Sequence, residues 1–306
     1  MTAKKRPKLL SHGRPPIINT KERERMSSKQ SRNTIRTHHT LHKQRAAALK
    51  KGDKTLVENI DKAIEQNGGL KAYQAASKQG QSKTRGGDSS KVLVSWLREA
   101  GVINSSPSTV RERKRNAPLR LLEIGALSSE NEISKFPRII DVTRIDLNSQ
   151  GSDIEKQDFM ERPLPSSSNE AFDIISLSLV LNYVPDAAHR GEMLKRIARF
   201  LRESPERFLR ESPERFLRES PESNATILPA LFLVLPLPCV QNSRYLDERL
   251  LLEIMENLGF CLTHCRNTPK LCHYLLQMVG KSNRVKTGKK MIRDGPAMNN
   301  FCVVVE

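Results

Sequence analysis

Aromatic residues are scarce in this chain of 306 residues: Phe, Trp and Tyr make up 5% of it, with a single tryptophan. The mean hydropathy is −0.54. A composition this poor in large apolar side chains cannot place the whole chain in hydrophobic cores. We therefore expect one folded domain of ordinary size and a solvated remainder.

The sequence also lacks an apolar run long enough to cross a bilayer. Its longest run, ILPALFLVLPLPCV at residues 227–240, contains three prolines and falls short of the roughly 20 residues that a membrane helix needs. The basic N-terminus, MTAKKRPKLL, is not followed by the apolar segment of a secretory signal. We expect a soluble intracellular protein without membrane contacts. Basic clusters at residues 4–8 and 111–115 favour import into the nucleus.

The cysteines indicate neither a disulfide framework nor a zinc site. Five cysteines are an odd number, they lie in apolar surroundings, and the chain has no paired CxxC motif. The nearest cluster, CLTHC at residues 261–265 followed by Cys272 and His273, would place its ligands on opposite faces of a strand. We expect no metal. The thiols expected to be buried and reduced are Cys239, Cys261, Cys265, Cys272 and Cys302.

Acidic residues are few in the first part of the chain. Residues 1–120 hold 28 Lys and Arg against 9 Asp and Glu, whereas residues 121–306 hold 24 against 25. The whole basic excess is therefore N-terminal. A field of this sign favours a polyanion, of which nucleic acid is the commonest. The alternative is a solvated tail that only keeps the protein soluble.

Composition divides the chain into four parts. Apolar residues recur at helical spacing from Leu56 to Ile64 and again from Val92 to Leu97, whereas the first thirty residues have almost no apolar periodicity. We expect the helical part to have a small core around Trp96. The predicted parts are a disordered basic tail at 1–30, a helical N-terminal module at 31–103, a linker at 104–118 and a further domain at 119–306.

An octamer repeat interrupts the last of these parts. The sequence FLRESPER begins at Phe200 and Phe208, and it recurs at Phe216 with its last residue changed. Each copy contains a proline, which breaks a continuous helix, and a period of eight is too short for a solenoid repeat. We interpret residues 202–226 as a loop lengthened by tandem expansion, with a functional repeat as the alternative.

Six apolar runs in residues 119–306 predict the strands of a sheet. They show little polar alternation, which is typical of parallel strands covered on both faces by crossover helices. The last connection, residues 280–299, has little helical pattern, so we expect the final strand to pair antiparallel with its predecessor. The predicted fold class is α/β. The predicted strands lie at 119–125, 140–147, 171–181, 230–238, 271–279 and 300–306.

Acidic residues follow three successive strands of this predicted sheet, where doubly wound sheets bind ligands. Gly125 permits close approach of the backbone to a ligand, but the GxGxxG fingerprint of NAD and FAD sites is missing. Glu123 and Asp146 offer carboxylates instead, and so does Asp158, which ends a further short strand that we expect as the third in chain order. Phe159 is placed to flank a purine ring. Carboxylates suit the ribose hydroxyls, ammonium and sulfonium of S-adenosylmethionine. We predict a site for this cofactor; the alternative is that these acids are solvated strand ends.

Polar and aromatic residues follow the fourth and fifth predicted strands. Asn182 and Tyr183 follow one strand, and Asn242, Arg244 and Tyr245 follow the next. We predict that these five residues face the transfer site, while helix capping by Asn182 and core packing by Tyr183 is the alternative. The Asn/Asp-Pro-Pro-aromatic stretch of adenine-N6 methyltransferases is missing, which disfavours methylation of the exocyclic amine.

Several stretches of the chain together carry a specific resemblance. They are IRTHHTLHKQ (35–44), RGGDSSKVLVSWL (85–97), LLEIGAL (121–127), RIDLNS (144–149), QDFM (157–160), FDIISLSLVLNYVPD (172–186), RGEMLKRIARFL (190–201), LFLVLPLPCVQNSRY (231–245) and NNFCVVVE (299–306). In these stretches the chain resembles the fungal-type 25S ribosomal RNA adenine-N1 methyltransferase family, over most of its length beyond the first thirty residues.

The resemblance implies a Rossmann-like class I methyltransferase sheet, S-adenosylmethionine as cofactor, and methylation of N1 of an adenosine in 25S ribosomal RNA. It also implies the pre-60S particle as partner, the nucleus and nucleolus as location, and we expect a monomer. The octamer expansion departs from the family's shorter loop, and it puts activity in doubt if it displaces the strand that begins near Ala230. The expected cofactor contacts are Glu123, Gly125, Ala126, Asp146, Leu147, Asp158, Phe159 and Ser176.

The implied reaction needs little acid–base chemistry. Adenine N1 has an in-plane lone pair, so no residue has to remove a proton during transfer, and catalysis rests on alignment and desolvation. N1 lies on the Watson–Crick edge, so the target base must be unpaired or flipped. We expect Tyr183 and Tyr245 to provide its stacking platform. His38, His39 and His42 either contact RNA phosphates or are ordinary polar helix residues, and we favour the latter.

Two rival functions share parts of this prediction. Animal relatives of the family bind S-adenosylmethionine as sensors without catalysis, and the same pocket would serve that role. A structural ribosome-assembly factor would need no cofactor at all. The basic first 120 residues favour the enzyme, because a sensor needs no RNA-facing surface.

Overall fold

The computed structural model describes residues 26–80, 87–103, 117–149, 151–203, 227–280, 283 and 285–306. Most of the expected basic tail, most of the linker and the octamer repeats beyond residue 203 lie outside the described residues. Within the described ranges, no helix combines the length and the apolar character needed to cross a bilayer. The same ranges contain no group of three or more His, Cys, Asp or Glu side chains placed to hold a metal ion.

The first three helices form a separate packing unit, which we call the N-terminal module (residues 28–80). Ser27 caps the start of the first helix, because its hydroxyl accepts a hydrogen bond from the amide of Gln30 at 3.1 Å. Gly52, where φ is +72°, caps its end. The first helix packs against the second and third helices. The three helices are α1 (Ser28–Lys51), α2 (Lys54–Gln66) and α3 (Gly69–Gly80).

A seven-stranded sheet carries the rest of the fold, in the order β3-β2-β1-β4-β5-β7-β6. The first five strands are parallel, and β7 is antiparallel to both of its neighbours. The prediction of a mostly parallel, Rossmann-like α/β sheet with an antiparallel strand late in the chain is confirmed. The strands are β1 (Leu119–Ile124), β2 (Ile140–Asp146), β3 (Glu155–Lys156), β4 (Ile174–Ser178), β5 (Ala230–Pro236), β6 (Phe260–Asn267) and β7 (Leu271–Met278).

Among the described residues, four further α-helices pack on or beside the sheet. They are α4 (Ser90–Glu99), α5 (Ala187–Phe200), α6 (Pro238–Gln241) and α7 (Glu248–Asn257). Strand β5 is buried on both faces: Phe232 joins the layer under α4, and its neighbours Leu231 and Leu233 join the layer under α5 and α7. Burial of both faces explains why the strands read as uninterrupted apolar runs.

The expectation that Trp96 anchors a core of the N-terminal module is wrong. Trp96 lies on α4 and packs edge-to-face against Phe232 of β5, with ring centroids 5.9 Å apart. It belongs to the apolar layer that also contains Leu121 and Ile174. Helix α4 is therefore part of the sheet domain, because its apolar side chains pack in the layer on the sheet.

The C-terminal residues do not form the expected last strand. Residues 300–306 make one bridge, between Val305 and Thr287, and the antiparallel neighbours of β7 are instead β5 and β6. The segment is held by α5: Arg190 donates to the carbonyl of Cys302 at 2.6 Å and covers the ring of Phe301 at 4.5 Å. Apolar side chains there pack on a helix face rather than in a ladder.

Two other expectations are tested by the strands. Cys261 and Cys265 are exposed, because β6 is the edge of the sheet, so the expectation of five buried thiols is correct only for the other three.

Strand β5 begins at Ala230 and pairs with β4 and β7 along its length. The octamer expansion therefore leaves this strand in place.

Candidate active site

The turn after β1 requires glycine for two reasons. Gly125 has φ +77°, a conformation that strains other residues, and a Cβ at this position would overlap Cγ2 of Val180. The amides of Gly125 and Ala126 donate to the carbonyl of Ile145 at 2.8 and 3.1 Å, which fixes the turn against β2. Val180 thus closes the side of the bend that faces β4.

Beside this turn, the carboxylate of Glu123 is buried and incompletely paired. Its Oε1 accepts a hydrogen bond from the side chain of Asn131 at 2.6 Å, and its Oε2 lies 3.6 Å from Nε of Arg144. Within the described residues, neither Oε2 nor that Nε has a hydrogen-bond partner. Burial, reinforced by Asp88, raises the pKa of Glu123 to about 7, and Arg144 opposes the rise. A cation placed here would favour the ionised form.

A cavity of about 380 Å³ lies between the loop after β1 and the chain that leads into α4, and its wall includes Asn131, the hydrogen-bond partner of Glu123. Asp88 fixes one wall, since it accepts hydrogen bonds from the amide of Glu132 at 2.5 Å and from the amide of Ser90 at 2.8 Å. The lining residues are Lys78, Asp88, Lys91, Leu127, Ser128, Glu130, Asn131, Glu132 and Lys135. The cavity wall therefore carries both charge signs.

Asp146 and Asp158 lie near the carboxyl ends of β2 and β3, as the sequence predicts. Asp146 is partly buried, which raises the pKa of its carboxyl, and its Oδ1 accepts a hydrogen bond from the amide of Asn148 at 2.8 Å. Asp158 accepts similarly from the amide of Met160 at 2.7 Å. One oxygen of each carboxylate thus braces its own loop.

The remaining expected cofactor contacts occupy different surroundings. Ala126 and Ser176 are buried, with Ser176 opposite Glu123 in the ladder, and Leu147 is 67% exposed. Phe159 is 3% exposed and packs against Phe200, with ring centroids 5.1 Å apart. Its ring is thus a core side chain, which does not agree with the expectation that it flanks a purine.

Aromatic rings from the N-terminal module cover the end of β4. His39 of α1 stacks on Tyr183, with ring centroids 4.1 Å apart and an interplanar angle of 17°. His38 stacks on Tyr73 of α3 at 4.5 Å and 15°, and Tyr73 meets Tyr183 edge-on at 5.9 Å. We call these rings, with that of His42, the ring cluster.

The ring cluster overturns the interpretation of His38 and His39 as ordinary polar helix residues, whereas His42 is exposed. Burial lowers the pKa of His38 to about 4 and that of His39 to about 3, so both rings are neutral at physiological pH. Neutral rings also make poor phosphate ligands. The i, i+4 spacing of His38 and His42 is the sequence signal for a shared helix face; nothing in the sequence pairs them with Tyr183.

Polar contacts join the N-terminal module and the start of α4 to the strand ends. Lys50 forms an ion pair with Asp186 at 2.7 Å, and this hydrogen bond is the main reason that the pKa of Asp186 falls to about 2. Gln74 donates to the carbonyl of Asn148 at 3.2 Å. The hydroxyl of Ser89, just before α4, lies 2.8 Å from that of Ser178. These contacts place α1 and α3 over the ends of β2 and β4.

The residues after β5 are tied to the C-terminal segment. Arg244 forms an ion pair with Asp294 at 2.7 Å and donates to the carbonyls of Gly295 and Met298 at 2.6 and 2.7 Å. Asn242 donates to the carbonyl of Ala297 at 3.0 Å. The structure therefore gives these two side chains a bracing role and does not bring them together with Asn182.

Tyr245 has one face of its ring covered. The ammonium of Lys289 lies 4.4 Å from the ring centroid, which is a cation–π contact. Tyr183 and Tyr245 are therefore each partnered in the protein, one by an imidazole and one by a lysine.

A family model matches most of the chain. The model described as 25S rRNA (adenine(2142)-N(1))-methyltransferase, Bmt2, covers residues 58–303. The chain belongs to this family. The match of the Bmt2 model includes most of α2, all of α3 and the whole sheet, so Tyr73 and Tyr183 lie inside it and His39 lies outside.

Two curated relatives of the family are similar to the chain over most of its length. The 25S rRNA (adenine(2142)-N(1))-methyltransferase of Saccharomyces cerevisiae is 38% identical over 253 residues, which are 82% of this chain and 64% of that protein. The 25S rRNA adenine-N(1) methyltransferase of Schizosaccharomyces pombe is 34% identical over 275 residues, 88% of this chain and 89% of that protein. The chain thus spans less than two thirds of the first relative.

Solved structures show more distant similarity. N-methyltransferase NodS from Bradyrhizobium japonicum, in complex with S-adenosylhomocysteine, shares 13% identity at a TM-score of 0.34, over 60% of this chain and 97% of that one. The 1,6-didemethyltoxoflavin-N1-methyltransferase from Burkholderia thailandensis shares 13% identity at a TM-score of 0.37, over 54% of this chain and 72% of that one.

Proposed function

We propose that the chain is an S-adenosylmethionine-dependent methyltransferase that methylates N1 of an adenosine in large-subunit ribosomal RNA. The observation that carries this proposal is the family match over residues 58–303, which spans the whole sheet, α3 and most of α2. Two relatives named for this reaction support it at 34% and 38% identity.

The residues at the carboxyl edge of the sheet fit this cofactor. Oε2 of Glu123 is a buried acceptor that has no hydrogen-bond partner among the described residues and only the longer contact of 3.6 Å to Arg144. Such an atom is costly unless a donor or a cation satisfies it. We propose that Glu123 binds the ammonium end and Asp146 the ribose hydroxyls, with Gly125 allowing close approach. When bound, the cofactor supplies an electrophilic methyl group on a sulfonium centre. The further proposed contacts are Ala126, Leu147, Asp158 and Ser176.

The chain's own contribution to transfer is positioning and desolvation. Adenine N1 attacks with its in-plane lone pair, so no side chain has to act as a base, and the base becomes cationic. We propose that Tyr183 stacks on the target base and that Oδ1 of Asn182 accepts a hydrogen bond from its exocyclic amine. Asn242 and Arg244 hold the loop after β5 in place beside Tyr245. An aromatic face also stabilises the positive charge on the product base.

The substrate and setting follow from the same proposal. The excess of 28 cationic over 9 acidic residues in the first 120 supports RNA as the partner, through contacts to phosphates. We propose that the protein acts as a monomer on the pre-60S particle, in the nucleus and nucleolus.

A transfer assay separates the enzyme from its rivals. The purified chain is incubated with radiolabelled cofactor and large-subunit RNA from cells that lack the modification, and label in the RNA is counted. We expect transfer. Cofactor binding without transfer would favour the sensor, and the absence of a calorimetric signal with the cofactor would favour a structural assembly factor.

Cofactor affinity should depend on pH through Glu123. Its pKa is about 7 because of burial, so below that pH the side chain is increasingly protonated and cannot attract a cation. We expect the affinity for S-adenosylmethionine to fall roughly tenfold between pH 8 and pH 6, since about a tenth of the carboxyl is ionised at pH 6. Calorimetric titrations at both pH values measure this. Glu123→Gln should remove that part of the pH dependence, and an unchanged profile in the variant would contradict the assignment.

Removal of residues 1–25 should weaken RNA binding and leave cofactor binding unchanged. This segment holds eight Lys and Arg against two Glu, so its loss reduces the number of counterions released on binding. We expect a lower affinity for large-subunit RNA and a shallower dependence of log affinity on log salt in filter-binding measurements. A loss of cofactor affinity instead would mean that the segment contributes to the pocket.

A further inference from the structure

The stack of His39 on Tyr183 has the geometry of a nucleobase on an aromatic platform. The centroids lie 4.1 Å apart, the planes differ by 17°, and the two rings come from different parts of the fold. His39 is supplied by α1, whereas Tyr183 follows β4, where the sheet presents its ligand-binding edge. The surface proposed to receive the target base is thus covered by a side chain of the N-terminal module.

Two buried polar atoms beside this stack have no hydrogen-bond partner within the described residues. They are Nε2 of His39 and Oδ1 of Asn182, the neighbour of Tyr183. Each unpaired polar atom of this kind destabilises the arrangement, because it has lost its hydrogen bonds to water without gaining others. The two unpaired atoms therefore weaken the contact between His39 and Tyr183. An incoming group that donates a hydrogen bond to Oδ1 of Asn182 would remove part of this destabilisation.

The module is attached at this edge by a few polar contacts. Lys50 bonds to Asp186 and Gln74 to the carbonyl of Asn148, and the first of these contacts is exposed. The main packing partners of α1 are α2 and α3 rather than strands of the sheet. A small rigid shift of α1 to α3 would break these contacts and leave the core layers of the sheet intact. A shift of this kind is sufficient to separate the rings of His39 and Tyr183 by the thickness of one aromatic ring.

We propose that His39 is the second wall of a base-binding slot, so that the flipped adenine inserts between His39 and Tyr183 and its exocyclic amine donates to Asn182. This inference rests on the proposed function and extends it by assigning half of the base site to the N-terminal module. Stacking on two rings compensates for the loss of neighbouring bases in the RNA.

The chemistry of the walls suits this base. Methylation at N1 leaves a positive charge on adenine, and two neutral aromatic faces attract such a charge through their π electrons. Burial and the neighbouring cation Lys43 keep the imidazole of His39 neutral, so it does not repel the product. An amide acceptor at Asn182 also distinguishes adenine from guanine, because C6 carries an amine in adenine and a carbonyl in guanine.

The test compares three variants in the full chain: His39→Ala, His39→Phe and the matched control His42→Ala. His42 is an exposed histidine one turn along α1 whose ring meets His38 and not Tyr183. Each variant is assayed for KM and kcat with unmethylated large-subunit RNA and for cofactor affinity by calorimetry. Melting temperatures establish that each variant is folded.

We expect His39→Ala to raise the KM for RNA roughly 5- to 150-fold, the range that follows from the loss of one base–aromatic stack. Cofactor affinity should be unchanged. His39→Phe should restore the KM to near the wild-type value, because Phe stacks equally well and removes the unpaired nitrogen. His42→Ala should behave as wild type. Rescue by Phe separates stacking from charge or hydrogen bonding.

Three results would contradict the proposal that the base inserts between His39 and Tyr183. A lower KM in His39→Ala would mean that His39 only occupies the place of the base and is displaced by it. An unchanged KM in His39→Ala, or a loss in His39→Phe as large as in His39→Ala, would equally exclude a stacking wall. Failure of the proposed function is distinguishable from all of these, since the wild-type chain would then transfer no methyl group to RNA.

Discussion

Replacing Gly125 by arginine is expected to abolish detectable binding of S-adenosylmethionine. The residue has φ +77°, so any side chain is strained there, and the first side-chain carbon already overlaps Val180. The arginine side chain can be accommodated only if Val180 and the turn beside it move, which changes the shape of the bend that we propose the cofactor approaches. The positive charge of the arginine would also pair with Glu123 and repel the sulfonium and ammonium of the cofactor. We expect no calorimetric signal and no methyl transfer.

Gly52→Arg is the matched control for this variant. Gly52 has φ +72°, and no neighbouring atom lies within 4 Å of the place that a Cβ would take, so the substitution shares the backbone strain without the overlap. It lies at the end of α1 and should retain cofactor binding. If Gly125→Arg melts far below wild type, Gly125→Ala combined with Val180→Ala relieves the overlap and tests the turn alone. Wild-type affinity in a folded Gly125→Arg protein would show that the cofactor binds elsewhere.

Substitution of Asp146 by asparagine is expected to weaken cofactor binding roughly 10- to 150-fold. A carboxylate that accepts hydrogen bonds from the ribose hydroxyls forms charge-assisted bonds, and the expected range corresponds to the loss of one such bond, about 1.5–3 kcal/mol. Asparagine keeps the shape of the side chain, and its oxygen can still accept from the amide of Asn148. The fold should therefore be unaffected, and calorimetry should report the loss as a higher Kd.

Asp141→Asn is the control at the other end of the same strand. Asp141 is the second residue of β2, is exposed, and lies at the amino end of the strand, away from the ligand edge. This variant should bind the cofactor with wild-type affinity. Equal effects of the two substitutions would indicate a general electrostatic influence rather than a direct contact of Asp146 with the ribose.

Much of the sheet is predictable from the sequence, because buried parallel strands leave a simple signal. The runs at 119–125 and 140–147 agree with β1 and β2 to within one residue, and the run at 230–238 contains β5. The edge strand β6 is not predicted because half of its surface faces solvent, so Phe260–Asn267 lacks an apolar run. Residues 300–306 mimic a strand in composition, yet their partner is α5, and composition does not reveal the partner.

The candidate site is predictable only where the strand ends define it. Glu123, Gly125 and Asp146 lie at neighbouring strand ends, because parallel strands present their carboxyl ends on one edge. The stack between His39 and Tyr183 joins residues far apart in the chain. No local pattern encodes such a pairing.

Side chains near the site illustrate the same limit. Phe159 follows Asp158 in the sequence, but its ring points into the core against Phe200. Arg244 follows β5 as expected, but its guanidinium is occupied by the C-terminal segment. Position along a strand fixes the location of a residue, and tertiary packing fixes the direction of its side chain.

The chemical identity of the product tests the central claim most directly. Large-subunit RNA that lacks the modification is incubated with the wild-type chain and S-adenosylmethionine, digested to nucleosides and analysed by mass spectrometry against standards of each methylated adenosine. We predict 1-methyladenosine, formed with the wild-type chain and not with Gly125→Arg. Methylation of a different atom, or of no adenosine at all in the presence of bound cofactor, would contradict this claim.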